Sequence, residues 1–136
     1  MQNHQHHPTK FLFNIGGFTG ECHEIEWKTG ILWYRRAEGA YVWQPATQLS
    51  PSPEAWERFW QDVDAAGVWE WEKSYENLDV LDGTQWSLKL KYQGRRLTAE
   101  GSNAYPGHGE PEFPATCEFG KFITALQQLT GKAGIR

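Results

Sequence analysis

Residues 84–92, TQWSLKLKY, alternate without a break: Trp86, Leu88, Leu90 and Tyr92 fall on one side, Ser87, Lys89 and Lys91 on the other. A period of two is what a strand buried on one face requires. Gln93-Gly94 follows, then RRLTAEG. A two-residue turn there fixes the register of the return strand, because a slip of one residue would exchange its two faces. Tyr92 then faces Arg95, Lys91 faces Arg96, Leu90 faces Leu97, Leu88 faces Ala99 and Trp86 faces Gly101. The inward side chains shrink toward Gly101, which leaves room for the Trp86 indole to lie over the glycine backbone.

The other segments fit around this hairpin. FLFNIGG (11–17), ECHEIEWK (21–28) and ILWYRR (31–36) read as strands, and Ala37-Glu38-Gly39 turns into AYVWQ. Trp56, Phe59, Trp60 and Val63 have helical spacing. Ser52 is placed to cap that helix, Pro53 and Glu54 suit its first turn, and Gly67 its end. VWEWEKSY (68–75) alternates like a strand. Residues 116–130 carry a second apolar helical stripe that stops at Gly131. Each half thus reads as a β-β-α unit. The economical architecture is α+β, a single antiparallel sheet with both helices on one face. Residues 1–9 read as a flexible tail, 10–131 as one domain and 132–136 as a C-terminal tail.

Composition narrows the function classes. The chain has 136 residues, suited to one domain, and a net charge of −4. That balance argues against a general nucleic-acid binder. No apolar run approaches membrane-spanning length, and the polar N-terminus is unlike a secretory signal, so a cytoplasmic location is expected. Cys22 and Cys117 are then expected as reduced thiols. Eight Trp residues can build a core where Leu is scarce, and Trp56, Trp60, Trp69, Trp71 and Trp86 are read as one aromatic core. The competing reading is an aromatic platform for sugars or bases.

Chemical motifs are sparse. Gly-x-Ser-x-Gly, a P-loop and His-Glu-x-x-His are absent, and no cofactor or metal is implied. His4, His6 and His7 lie in the tail. His108, Glu110 and Glu112 match no metal-ligand spacing. Cys22 and His23 are adjacent in a strand and point to opposite faces, whereas Glu21 and His23 share one. The stretch GSNAYPGHGEPEFP (101–114) is longer than a strand-to-helix link needs, and long loops tend to carry function. Tyr75, Asn77, Asn103, Tyr105 and His108 are candidates to line a recess there. Arg35, Arg36, Lys91, Arg95 and Arg96 are candidates for an anion or partner patch, against the alternative of solvated edge charge.

From Trp69 to Leu129 the layout W-E-W, Y-E-N, D-G-x-x-W-x-L-x-L, G-S-N-A-Y-P and a closing helix resembles small, uncharacterised bacterial proteins. The resemblance covers the second half. It implies a bacterial, single-domain α+β protein and carries over no activity. The expected function is a non-catalytic binding or interaction module for a protein or peptide partner. The alternatives are a small-molecule or carbohydrate-binding domain using aromatic side chains, and a hydrolase-like enzyme using the loop His and Glu.

Overall fold

The computed structural model describes residues 6–17, 20–76, 83–106 and 118–135. Among them the chain forms β1 (Lys10–Gly16), β2 (Cys22–Lys28), β3 (Ile31–Ala37), β4 (Thr47–Leu49), α1 (Pro53–Ala65), β5 (Ser74–Glu76), β6 (Gln85–Tyr92), β7 (Arg95–Ser102) and α2 (Glu118–Thr130). The strands make one sheet in the order β4-β3-β2-β1-β6-β7-β5. The class is α+β.

Both long hairpins turn on two residues. Thr29 and Gly30 have φ of 54° and 77°, Gln93 and Gly94 have 48° and 81°. Two successive positive φ values mark the type I′ turn, whose twist matches that of the strands it joins. The β6–β7 register agrees with expectation at all five pairs, from Tyr92↔Arg95 to Trp86↔Gly101. The indole does cover Gly101: a Cβ there would run into the Trp86 ring and the Ala104 carbonyl. Trp86 Nε1 donates to that same carbonyl at 3.0 Å.

The sheet is not purely antiparallel as expected. β5 runs parallel to β7, Tyr75 beside Gly101, while the other strand pairs are antiparallel. The cause lies in residues 68–75, which are not one strand. Gly67 ends α1 in the left-handed region (φ 67°), and a 3-10 turn at Val68–Glu70 follows, closed by Trp71 N–H donating to the Val68 carbonyl. The turn swings Trp69 and Trp71 to different surroundings. Only Ser74–Glu76 then joins the sheet, at its far edge, where the Glu100 N–H donates to the Lys73 carbonyl at 2.9 Å. β4 is likewise a three-residue edge strand, placed after AYVWQ rather than within it.

Alternation sorts the strands into two faces. On one, Tyr34, Ile25, Phe13, Leu88 and Ala99 stand side by side across five strands. Rings from both helices meet this face: Phe59 of α1 stacks on Phe11 at 5.5 Å, and Phe122 of α2 meets Phe13 edge-on at 5.5 Å. Trp60 lies flat on Tyr92, centroids 3.8 Å apart. Trp56, Trp60, Trp71 and Trp86 are buried in this one core, with Trp69 partly buried against it. The aromatic-core reading therefore holds. Ser52 caps α1, its Oγ accepting from the Ala55 N–H at 3.0 Å.

Packing extends past both expected domain bounds. The His6 carbonyl accepts a bond from Trp60 Nε1 at 2.6 Å, and Ile135 is fully buried, its carbonyl held by Gln127 Nε2 at 2.7 Å. No described helix is long and apolar enough to cross a membrane.

Candidate functional site

The first half of the 101–114 loop is an anchor. Asn103 takes a left-handed φ of 57°, which Asn tolerates better than most residues. Its N–H donates to the Thr84 carbonyl, and its Oδ1 accepts from the Thr84 N–H, both at 2.9 Å. The side chain is nearly fully buried. Tyr105 is half-buried with its ring 4.8 Å from that of Phe119. Tyr75 accepts the Glu72 N–H on its hydroxyl at 2.8 Å and packs its ring 6.0 Å from Trp86. Burial pushes the Tyr75 phenol above its ordinary pKa. Tyr75 and Tyr105 thus sit at the two ends of a chain of rings that runs through Trp86 and Phe119. Asn77 and His108 lie outside the described residues, as do Cys117, Glu110 and Glu112.

Asn103→Ala is expected to destabilise the fold by about 1–3 kcal/mol, since it removes a buried acceptor and strains a left-handed residue. Asn103→Gly, which relieves the strain but not the lost bond, should cost less. Urea melts of the two variants check this; equal losses would show that the backbone conformation contributes nothing.

The five cations expected to form one patch do not share a face. Arg36 is on the face that carries Tyr34 and Ile25 and pairs with Glu21 at 3.2 Å. Arg95 is on the same side at the other end, paired with Asp64 at 3.0 Å and stacked over Trp69. Arg35 points the opposite way and pairs with Glu24 at 2.5 Å, its guanidinium over the Trp43 ring. Only Lys91 and Arg96 are neighbours on one surface, the face away from the helix rings.

That second face is the broadest exposed feature of the described residues. One cross-strand row runs Arg35, Glu24, Asn14, Ser87, Glu100 and Ser74 over six strands. The next row holds Trp33, Glu26, Leu12, Lys89 and Thr98. Beyond it come Lys10, Lys91 and Arg96 in direct register, with Lys28 at the end of β2 in the same line. Lys89 shares a face with Lys91 by alternation alone, but Lys10 and Lys28 were not legible as members of this group from the sequence. Only the placement of β1 between β2 and β6 aligns them with Lys91. None of the five cations forms an ion pair among the described residues. Two open, shallow recesses of about 290 Å³ each lie on this face. One is over β1, β6, β7 and β5, with Asn14, Ser87 and Glu100 in its lining and Tyr75 at its rim. The other is over β2 and β3, beside Trp33 and Arg35. The Trp33 Nε1 hydrogen is buried with no acceptor among the described residues.

A third cluster sits at the β1–β2 turn. His23, almost wholly buried, shares a 2.7 Å hydrogen bond between Nδ1 and the Tyr34 hydroxyl, and its Nε2 lies 3.4 Å from Glu21 Oε1. Burial pushes the Tyr34 phenol up, with Arg36 opposing. Cys22 alternates away from His23, as expected, and its Sγ donates to the Gly17 carbonyl at 3.3 Å. Burial pushes that thiol up, against thiolate chemistry. This cluster ties β2 to β3. No group of three His, Cys, Asp or Glu suited to a metal occurs among the described residues.

A scan against protein-family models finds no match for the chain, and a search of curated proteins finds none.

Proposed function

We propose that the protein is a non-catalytic, cytoplasmic binding module, both helices lying on one face of its sheet and a partner protein docking on the other. What carries this reading is the face itself. Five strands of 7 or 8 residues and two of 3, about 4.8 Å apart, make a surface on the order of 600 Å². That is comparable with the roughly 800 Å² that each partner contributes to a standard interface. Leu12, on the central strand, and Trp33, on β3 toward one edge, supply partly exposed apolar surface among polar and charged side chains, as an interface core and rim would. The two recesses are open and small, shaped to accept side chains of a partner rather than to enclose a ligand.

Ser87 and Thr98 point outward from adjacent central strands. Tyr favours strands, so Ser87→Tyr/Thr98→Tyr should fold while blocking the surface. Affinity purification from the source cells should recover a stoichiometric partner with the wild type and lose it with the double variant at unchanged melting temperature. Undiminished recovery with the variant would sink the proposal.

A further inference from the structure

We infer that the hairpin-tip half of this face is a docking strip for an acidic peptide segment of the partner; the inference rests on the binding-module reading above. Lys28, Lys10, Lys91 and Arg96 come from four adjacent strands, β2, β1, β6 and β7, and stand in one line. At about 4.8 Å per strand the line is about 14 Å long. Lys89 adds a fifth cation one position inward, opposite Thr98.

Three observations separate this strip from ordinary surface charge. The first is its cost: Lys10 faces Lys91 and Lys91 faces Arg96 in direct cross-strand register, where like charges destabilise a sheet. The second is its place. Charges that guard against aggregation belong on edge strands; Arg96 lies on β7 where β5 no longer covers it, but Lys10 and Lys91 stand on β1 and β6, in the middle of the sheet. The third is the contrast with the rest of the molecule. The chain carries −4 overall, yet the two outer rows at this end hold five cations and one carboxylate, Glu26. Elsewhere on the surface Arg35, Arg36 and Arg95 are each matched by a carboxylate within 3.2 Å. Among the described residues the strip's cations have no such carboxylate, and Lys28 meets only the Trp33 ring, 6.0 Å from its centroid, so an incoming carboxylate displaces no ion pair there.

The occupant is a peptide rather than a nucleic acid because the charge is confined to one end. Glu76 and Glu100 lie on the other half of the same face and repel a polyanion long enough to cross it. A short acidic segment fits within the basic half.

The test uses a fluorescent tetramer of glutamate, about 14 Å long when extended, a 12-base-pair DNA duplex and the triple variant Lys28→Glu/Lys91→Glu/Arg96→Glu, all three positions exposed. The peptide should bind the wild type with an affinity that falls steeply with salt, and about 10- to 100-fold more weakly to the variant. Amide NMR shifts should map to residues 10, 28, 89, 91 and 96. Peptide affinity unchanged in the variant, or tighter binding of the duplex than of the peptide, overturns the inference. So does a wild-type dimer in sedimentation that the variant abolishes, since the occupant would then be a second copy. If the partner recovered above is lost with Ser87→Tyr/Thr98→Tyr but kept by the charge-reversed variant, the acidic chemistry is wrong and the binding-module reading stands.

Discussion

Replacing Trp56 by Ala is expected to remove about 3–5 kcal/mol of stability, the range for truncating a large buried aromatic. Trp56 is one of the largest fully buried side chains. Its indole meets Phe59 and Trp27 edge-on at 6.1 and 5.7 Å and stacks with Trp60 at 6.0 Å. His7 closes the outer side at 6.1 Å. Four neighbours from α1, β2 and the N-terminal segment cannot all collapse into the space, so the cavity term adds to the lost transfer energy. A single-domain protein has about 5–15 kcal/mol in total, so the variant should have its urea midpoint cut by about a fifth or more. A loss below about 1 kcal/mol would mean that the aromatic core is not the main source of stability.

Gly101→Val is expected to be the most disruptive substitution on the sheet. The added carbons would occupy the space of the Trp86 ring and of the Ala104 carbonyl, and the Trp86–Ala104 hydrogen bond would break with them. Overpacking of this kind costs about 1–3 kcal/mol, and the broken bond of a part-buried donor adds about 1–3 more. The same displacement would pull Trp86 from Phe119, 4.9 Å away, and from Trp71 at 5.8 Å. The mechanism predicts a coupling. In a Trp86→Ala background the clash with the indole is gone and only that with the Ala104 carbonyl remains, so the double variant should lose less than the sum of the two single losses. Strict additivity in denaturation would show that Gly101 is needed for some reason other than the indole above it.

That pairing also shows what kind of information a sequence holds. The β6–β7 hairpin was legible because alternation and turn length act locally and agree with each other. The α1 boundaries were legible for the same reason, Ser52 capping the start and Gly67 leaving the helix at positive φ. Residues 68–75 misled because Trp69, Trp71 and Tyr75 alternate in sequence while a 3-10 turn sets their directions in space. The parallel β5 and the strand β4 were hidden for a simpler reason. Three residues at a sheet edge carry too short a pattern to read, and their placement is decided by the rest of the sheet.

The site was less legible than the fold. Asn103 and Tyr105 drew notice because Gly- and Pro-rich loops so often carry function, yet each has a bonding or packing partner that holds the loop to β6 and α2. Arg35 and Arg36 looked like an extension of Lys91 and Arg96 because each pair lies in a hairpin. Arg35 and Arg36 are consecutive in β3 and face opposite ways, so that pair forms no patch, whereas Lys91 and Arg96 stand opposite each other on one face. The alignment of Lys10, Lys28 and Lys91 depends on which strands are neighbours, and alternation within one strand does not contain that.

The strand order has a consequence for how the chain is made. β1 leaves the ribosome before the other described strands and ends at the centre of the sheet. One of its sides pairs at once with β2. The other waits for β6, and Asn14 and Ser87, which meet across that junction, are 73 residues apart. Until β6 emerges, the β1–β4 meander has an open edge flanked by Phe11, Phe13 and Ile15, an attractive template for a second nascent chain. Fragments that stop short of residue 85 carry that edge permanently, so the chain is a poor candidate for being split into two independently folding halves.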